Sequence, residues 1–325
     1  MYACIRSFWA AASRCSRSWS RPSTCGSSKR APSGLASSGC ATSVLVKERN
    51  DMTATTQTGR GGYAPVNGLN LYYEIFGEGA PLILLHGGFG AVEMFGPLLP
   101  QLAAGRQVIG VDLQGHGRTA DIDRPLRMEL MADDIAALIQ HLRLGQADVM
   151  GYSLGGGVAL QTAIRHPQVV RKLAVVSMPC RRSGSYPEVA EAMLQFGPQT
   201  AESMKQSPMY QLYAAIAPRV EDWPRLVSKM GEALRVDYDW TQDMAGIQAP
   251  TLLVVGDADS FPPQHAVEMF QLLGGGQGAG GWDGSGMSAS QLAILPGTTH
   301  YTSCDSPLLP AVVTSFLDAP LPTAR

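Results

Sequence analysis

Residues 147–157 read Ala147-Asp148-Val149-Met150-Gly151-Tyr152-Ser153-Leu154-Gly155-Gly156-Gly157. A short strand-like run passes straight into a glycine-framed serine and then into a helical pattern reaching about His166. Gly151-Tyr152-Ser153-Leu154-Gly155 fits G-x-S-x-G. The chain must turn sharply there from strand to helix, which holds the serine at a strained backbone angle. Side chains at 151 and 155 would collide with the neighbouring turn, and Gly156 and Gly157 let the helix pack close to the sheet. Five residues with two fixed glycines also occur as a bland tight turn; the strand–turn–helix setting makes the motif specific.

Working outward, Leu69 to Phe76 is strand-like and Gly77-Glu78-Gly79 is a turn. Pro81 to Leu85 is wholly apolar and ends in His86-Gly87-Gly88-Phe89-Gly90. A helix is expected over 92–103. Val108 to Val111 is a second apolar run, ending in Asp112-Leu113-Gln114-Gly115-His116-Gly117, and helical periodicity covers 128–143. Further strands are expected at 173–176, 251–255 and 292–295, with helices at 263–273 and 307–318. Continuous apolar runs suit strands buried on both faces. Their alternation with helices predicts an α/β fold with a parallel sheet and right-handed crossovers. Residues 179–246 lack a buried-strand pattern and are rich in helix formers, Met and aromatics, which predicts a helical cap inserted after a sheet strand. Residues 274–290 are glycine-rich and predict a mobile surface loop. The core is therefore expected in two parts, 52–178 and 247–325.

The 325 residues are 45% hydrophobic and 16% charged, with a net charge of −2. That is enough for a sizeable core and excludes a disordered chain. A near-neutral balance gives no basic field for nucleic acid. No stretch approaches the ~18 uncharged apolar residues of a membrane span. Residues 1–51 differ, with eight Lys/Arg against two acids, twelve serines, and Cys4, Cys15, Cys25 and Cys40. They show no periodicity and are left out of the fold. The composition imitates a transit peptide, while Arg6 and Arg14 leave too short an apolar run for a secretory signal. A mis-called 5′ extension is the third reading: Lys47-Glu48 can be encoded as AAGGAG, a bacterial ribosome-binding sequence suitably placed before Met52. Only Cys180 and Cys304 lie in the remainder, so no disulfide framework is indicated. A cytoplasmic bacterial location is expected.

A serine hydroxyl needs a base to take its proton. Of six histidines, His86 and His116 read as hydrogen-bonded scaffolding in glycine-flanked turns, and His141 as solvated. His166 closes a helix and His265 opens one. His300, in the polar turn after the last strand, reaches the carboxyl edge of the sheet where Ser153 sits, and is assigned as the base. Asp257 and Asp259 both follow the strand at 251–255; Asp259 is taken as the orienting acid and Asp257 as a turn-former. The order Ser…Asp…His is the one G-x-S-x-G predicts. The oxyanion hole is assigned to the amides of Leu154 and Gly88, with Phe89 as second choice for the latter. Phe89, Phe95, Tyr152, Met178 and Tyr301 adjoin these turns and are the candidate substrate contacts. Most aromatic and Met residues of 179–246 read as the cap's own core.

The sequence resembles the α/β-hydrolase superfamily at five motifs in order: His86-Gly87-Gly88, Asp112-x-x-Gly115-His116-Gly117, Gly151-x-Ser153-x-Gly155, Gly256-Asp257-x-Asp259 and Gly297-x-x-His300. The resemblance spans roughly 63–318. It implies an eight-stranded, mostly parallel sheet, a helical cap over the site, and neither metal nor organic cofactor. The chain is also similar to bacterial serine esterases bearing a Leu-Gly-Gly-Gly insert before the last strand, some of which resemble macrolide esterases. The expected activity is hydrolysis of a small-molecule ester or lactone, with no nucleic-acid or membrane partner. Serine at 153 disfavours haloalkane dehalogenases and epoxide hydrolases, which use an aspartate nucleophile. Cofactor-free haloperoxidases and carbon–carbon bond hydrolases share the triad and stay open, as does a slow-turnover ligand receptor.

Overall fold

The apolar runs lie side by side. In the computed structural model, which describes residues 59–321, eight strands form one sheet: β1 (Arg60–Val66), β2 (Leu69–Phe76), β3 (Ala80–Leu85), β4 (Arg106–Val111), β5 (Ala147–Tyr152), β6 (Val170–Val176), β7 (Thr251–Ala258) and β8 (Gln291–Thr299). Their order is β1-β2-β4-β3-β5-β6-β7-β8. β1 pairs antiparallel with β2, and β2 with β4; β3 to β8 are parallel, as their apolar runs predict. Every residue of β5 is buried, as are Leu82–Leu85 of β3. Helices Met128–His141 and Leu154–Arg165 pack together against the sheet, and Leu309–Asp318 closes the chain. Residues 1–51, with the readings made of them, lie outside the described residues.

Two elements depart from the sequence reading. The helix expected over 92–103 is split into a 3-10 turn, Val92–Phe95, and a helix, Leu98–Ala103. Gly96, at φ 38°, and Pro97 stand between them, and proline cannot supply the missing amide. The pattern also gave no sign of β1, whose Gly61, Gly62 and Pro65 are poor strand formers. The glycines have a packing reason. A Cβ on Gly61 would fall 2.6 Å from the Tyr72 hydroxyl, and one on Gly62 2.9 Å from that of Tyr73. The β2 tyrosines thus fold over the space that side chains would fill.

Five helices between Pro187 and Met244 occupy the chain between β6 and β7. The amphipathic Trp223–Arg235 turns Trp223, Leu226, Val227 and Met230 inward, the i, i+3, i+4, i+7 stripe of a half-buried helix. Its polar side is fastened to the loop after β4. Lys229 Nζ donates at 2.7 Å to the Asp121 carboxylate and to the carbonyls of Ile122 and Arg124, and Arg225 lies 2.7 Å from the same carboxylate. The stretch 274–290 contains no helix or strand, and Trp282 within it is exposed.

Lys172 of β6 is buried and serves the last helix. Its Nζ donates to the carbonyls of Phe316 (2.8 Å), Leu317 (3.1 Å) and Ala319, at the helix end where the backbone dipoles favour a cation. Replacing Lys172 with Met leaves these acceptors without their donor. Urea denaturation should show a loss of roughly 2–4 kcal/mol in unfolding free energy.

Candidate active site

β5 ends at Tyr152, and Ser153 takes φ 53°, ψ −119° before the helix Leu154–Arg165 begins. This positive-φ conformation is sparsely populated and costs a non-glycine residue about 1–3 kcal/mol. A Cβ on Gly151 would lie 2.0 Å from the Gly155 carbonyl oxygen, and one on Gly155 would lie 2.3 Å from that of Leu85. Both obstacles are backbone and cannot swing away. The Ser153 amide donates to the Val176 carbonyl (2.9 Å) and the Gly155 amide to that of His86 (3.1 Å), so neighbours on both sides hold the turn. A Cβ on Gly157 would meet Met128, Met178 and Trp240, and one on Gly156 would meet Met178.

Ser153 Oγ lies 3.0 Å from His300 Nε2, and His300 Nδ1 lies 2.9 Å from Asp259 Oδ1. Asp259 directly follows β7 and His300 directly follows β8, so three strand ends bring the three side chains together. Asp259 Oδ1 also accepts from the Ser260 amide (2.7 Å) and hydroxyl (3.1 Å). Its Oδ2 accepts from the Ser177 hydroxyl (2.6 Å) and the Gly256 amide (3.1 Å). Burial pushes the carboxyl pKa up, but the bond and charge of His300, with the Ser177 and Ser260 bonds, prevail and hold it below the usual range. Asp257 is placed otherwise: its carboxylate accepts from the amides of Gly297 (2.9 Å) and Thr298 (3.0 Å), shaping the turn before His300.

Ser177 and Ser260 escaped the sequence reading. Ser260 adjoins Asp259, and Ser177 is the first residue past β6, at the same sheet edge as Ser153. Position at a strand end was their only signal, and serine is too common in loops for it to stand out.

His86 and His116 are wholly buried. His86 Nδ1 donates to the Gly87 carbonyl (2.7 Å), and Nε2 accepts the Leu113 amide (3.0 Å). His116 Nδ1 lies 2.9 Å from the Gln114 carbonyl. Asp112 accepts the amides of Val92 and Arg118, each at 2.9 Å, and so ties the β4 turn to the β3 turn.

Leu85 pairs with Gly151, so the 86–90 turn lies beside Ser153; Gly88 sits in this turn, and Leu154 is the first residue of the helix. A Cβ on Gly88 would fall 2.9 Å from Met230 Cε of the helix Trp223–Arg235. Phe89, at φ 60°, packs its ring against Phe196 (5.6 Å) and Trp223 (5.7 Å), both from the chain between β6 and β7. Two candidate contacts turn out otherwise. Phe95 is buried in a hydrophobic cluster with Leu82, Leu98 and Leu102, because the broken helix turns it inward. Tyr152 is buried in the same cluster, donates its hydroxyl to the His300 carbonyl (2.6 Å) and sets its ring 5.3 Å from that of His300. Met178 lies over Gly156 and Gly157, and Tyr301, 46% exposed, sets its ring edge-on to His300 (5.4 Å). Among the described residues, no cluster of His, Cys, Asp and Glu could hold a metal ion, and no helix is long and apolar enough to cross a membrane.

Comparison with known proteins gives a match to the family described as alpha/beta hydrolase fold over residues 80–274. A pimeloyl-[acyl-carrier protein] methyl ester esterase of Neisseria meningitidis is 34% identical over 205 residues, covering 57% of this chain and 77% of that protein. The 2-hydroxymuconate semialdehyde hydrolase of a Pseudomonas species is 36% identical over 104 residues, covering 31% and 37% respectively. Among solved structures, an enol-lactonase from Burkholderia xenovorans superposes with TM-score 0.60 at 22% identity, over 79% of this chain and all of that one.

Two outcomes follow from this geometry. Phe95→Ala should lower the unfolding free energy by about 3–5 kcal/mol and leave KM unchanged, as urea denaturation and steady-state kinetics would show. Burial lowers the pKa of His86 from 6.5 to about 4 and that of His116 to about 3. Below 6.5 the unfolded chain therefore binds protons that the folded chain refuses, and stability falls as pH drops from 6.5 toward 4. Calorimetry across that range should show a steadily falling melting temperature, less steep in His86→Gln.

Proposed function

The chain belongs to the alpha/beta hydrolase family, and from that premise we propose that it cleaves a carboxylic ester or lactone through an acyl-enzyme. One observation carries this reading: the unbroken path from Ser153 Oγ through the His300 ring to Asp259. An ionised Asp259 has no proton to give, so the hydrogen between it and His300 sits on Nδ1, and Nε2 is left as an acceptor for Ser153. Ser153 attacks the carbonyl carbon while its proton passes to Nε2. The developing oxyanion takes hydrogen bonds from the Leu154 and Gly88 amides, and loss of one such donor typically costs about 10²–10³ in turnover. Collapse expels the alcohol, which takes the proton from Nε2. Water, deprotonated by Nε2, then attacks the acyl carbon and frees Ser153.

The cap residues beside the 86–90 turn are Phe196, Trp223 and Met230. An apolar ceiling of this kind suits a bulky, uncharged acyl or alcohol group. The esterase relative supports an ester, and a macrolide lactone is the bulky candidate that the sequence resemblance adds. The 2-hydroxymuconate semialdehyde hydrolase relative favours a second reading, carbon–carbon bond hydrolysis by the same three side chains.

Rapid mixing with a p-nitrophenyl ester tests the mechanism. A burst of p-nitrophenolate matching the enzyme concentration is expected, with kcat falling roughly 10⁴–10⁶-fold in Ser153→Ala. Turnover unchanged by Ser153→Ala would overturn the proposal. Mass spectrometry on a panel of esters, macrolides and 2-hydroxymuconate semialdehyde then assigns the substrate, since gain of one water by a macrolide marks the lactone reading.

A further inference from the structure

We propose that Ser177 is a positioning residue that fixes the rotation of the Asp259 carboxylate and couples it to the turn carrying His300. The inference rests on the serine-hydrolase reading above. Ser177 is 1% exposed and sits at φ 56°, in the left-handed region. Its amide donates to the Val254 carbonyl (2.9 Å), which holds the backbone between the ends of β6 and β7. The hydroxyl then reaches Asp259 Oδ2 at 2.6 Å, the oxygen that His300 does not use.

The division between the two oxygens gives the reason. Oδ1 faces His300 Nδ1 and is also held by Ser260. Oδ2 has Ser177 and the longer bond from the Gly256 amide, at 3.1 Å. Rotation about an aspartate's terminal torsion is soft, so the carboxylate plane is set by what holds each oxygen. Without the Ser177 hydroxyl, Oδ2 keeps one donor and the plane facing the imidazole loosens. Ser177 Oγ also lies 3.0 Å from Ser303 Oγ, and Ser303 Oγ lies 2.9 Å from the carbonyl of Thr299, the residue before His300. Ser177 gives its one hydrogen to Asp259, so Ser303 gives its own either to Ser177 Oγ or to the Thr299 carbonyl, and in both cases stands between the ends of β6 and β8. Ser177 does not touch the reacting atoms; it acts through Asp259.

Ser177→Gly tests this cleanly, because glycine accepts φ 56° without strain and removes only the hydroxymethyl group. The expected result on an ester turned over by the wild type is a loss of roughly tenfold in kcat with KM unchanged. In an Asp259→Asn background the same change should cost almost nothing further, since its route of action is already gone. Full kcat in Ser177→Gly, or equal loss in the two backgrounds, overturns the proposal. Ser177→Ala is the second variant: it keeps the strain and should match Ser177→Gly in kcat while melting lower. Ser153→Ala run alongside separates the two readings. If Ser153→Ala keeps full activity, the serine-hydrolase reading falls; if it is dead while the Ser177 losses simply add, only the positioning role falls.

Discussion

The near-contact of Gly151 and Gly155 with their backbone neighbours is the constraint on which the site depends. No side chain fits at either position, because the carbonyl oxygens of Gly155 and Leu85 already occupy the space. The close approach lets a parallel strand become a helix within one residue, and that residue, Ser153, is left projecting at the carboxyl edge of the sheet. The same turn places the amide end of a twelve-residue helix beside the serine, where backbone dipoles favour negative charge.

Strain gathers where the side chains meet. Asn67 and Arg143 take positive φ in loops, whereas Phe89, Ser153 and Ser177 take it past the ends of β3, β5 and β6, which are neighbours in the sheet. Each has a packing or hydrogen-bond reason: Phe89 meets Trp223, Ser153 meets His300, and Ser177 meets Asp259. Such conformations persist only where surrounding structure over-determines them. Here the parallel core supplies that rigidity, with β5 buried along its whole length and flanked by β3 and β6.

Much of this was legible in the sequence because the relevant signals are local. Apolar runs marked β3 to β8, and the glycines around Ser153 marked the turn. His300 and Asp259 were assigned from the turns expected after 292–295 and 251–255, and the structure carries those strands on to Thr299 and Ala258, up to the two residues. What could not be read depends on distant packing. β1 buries only Ala64 and Val66 of its own, and tyrosines of the next strand fold over its glycines. Phe95 and Tyr152 adjoin the catalytic turns in sequence, yet the break at Pro97 turns the one inward and the bond to the His300 carbonyl holds the other. Ser177 meets Asp259 across 82 positions, a contact that no spacing rule encodes.

On the proposed mechanism, the fold makes Ser153 nucleophilic through His300. Labelling the folded protein with a fluorophosphonate, followed by peptide mapping, tests it most directly. One adduct is expected, on Ser153, lost on unfolding and formed far more slowly in His300→Ala. An adduct on another residue, or labelling of Ser153 at the same rate with His300 removed, would contradict it.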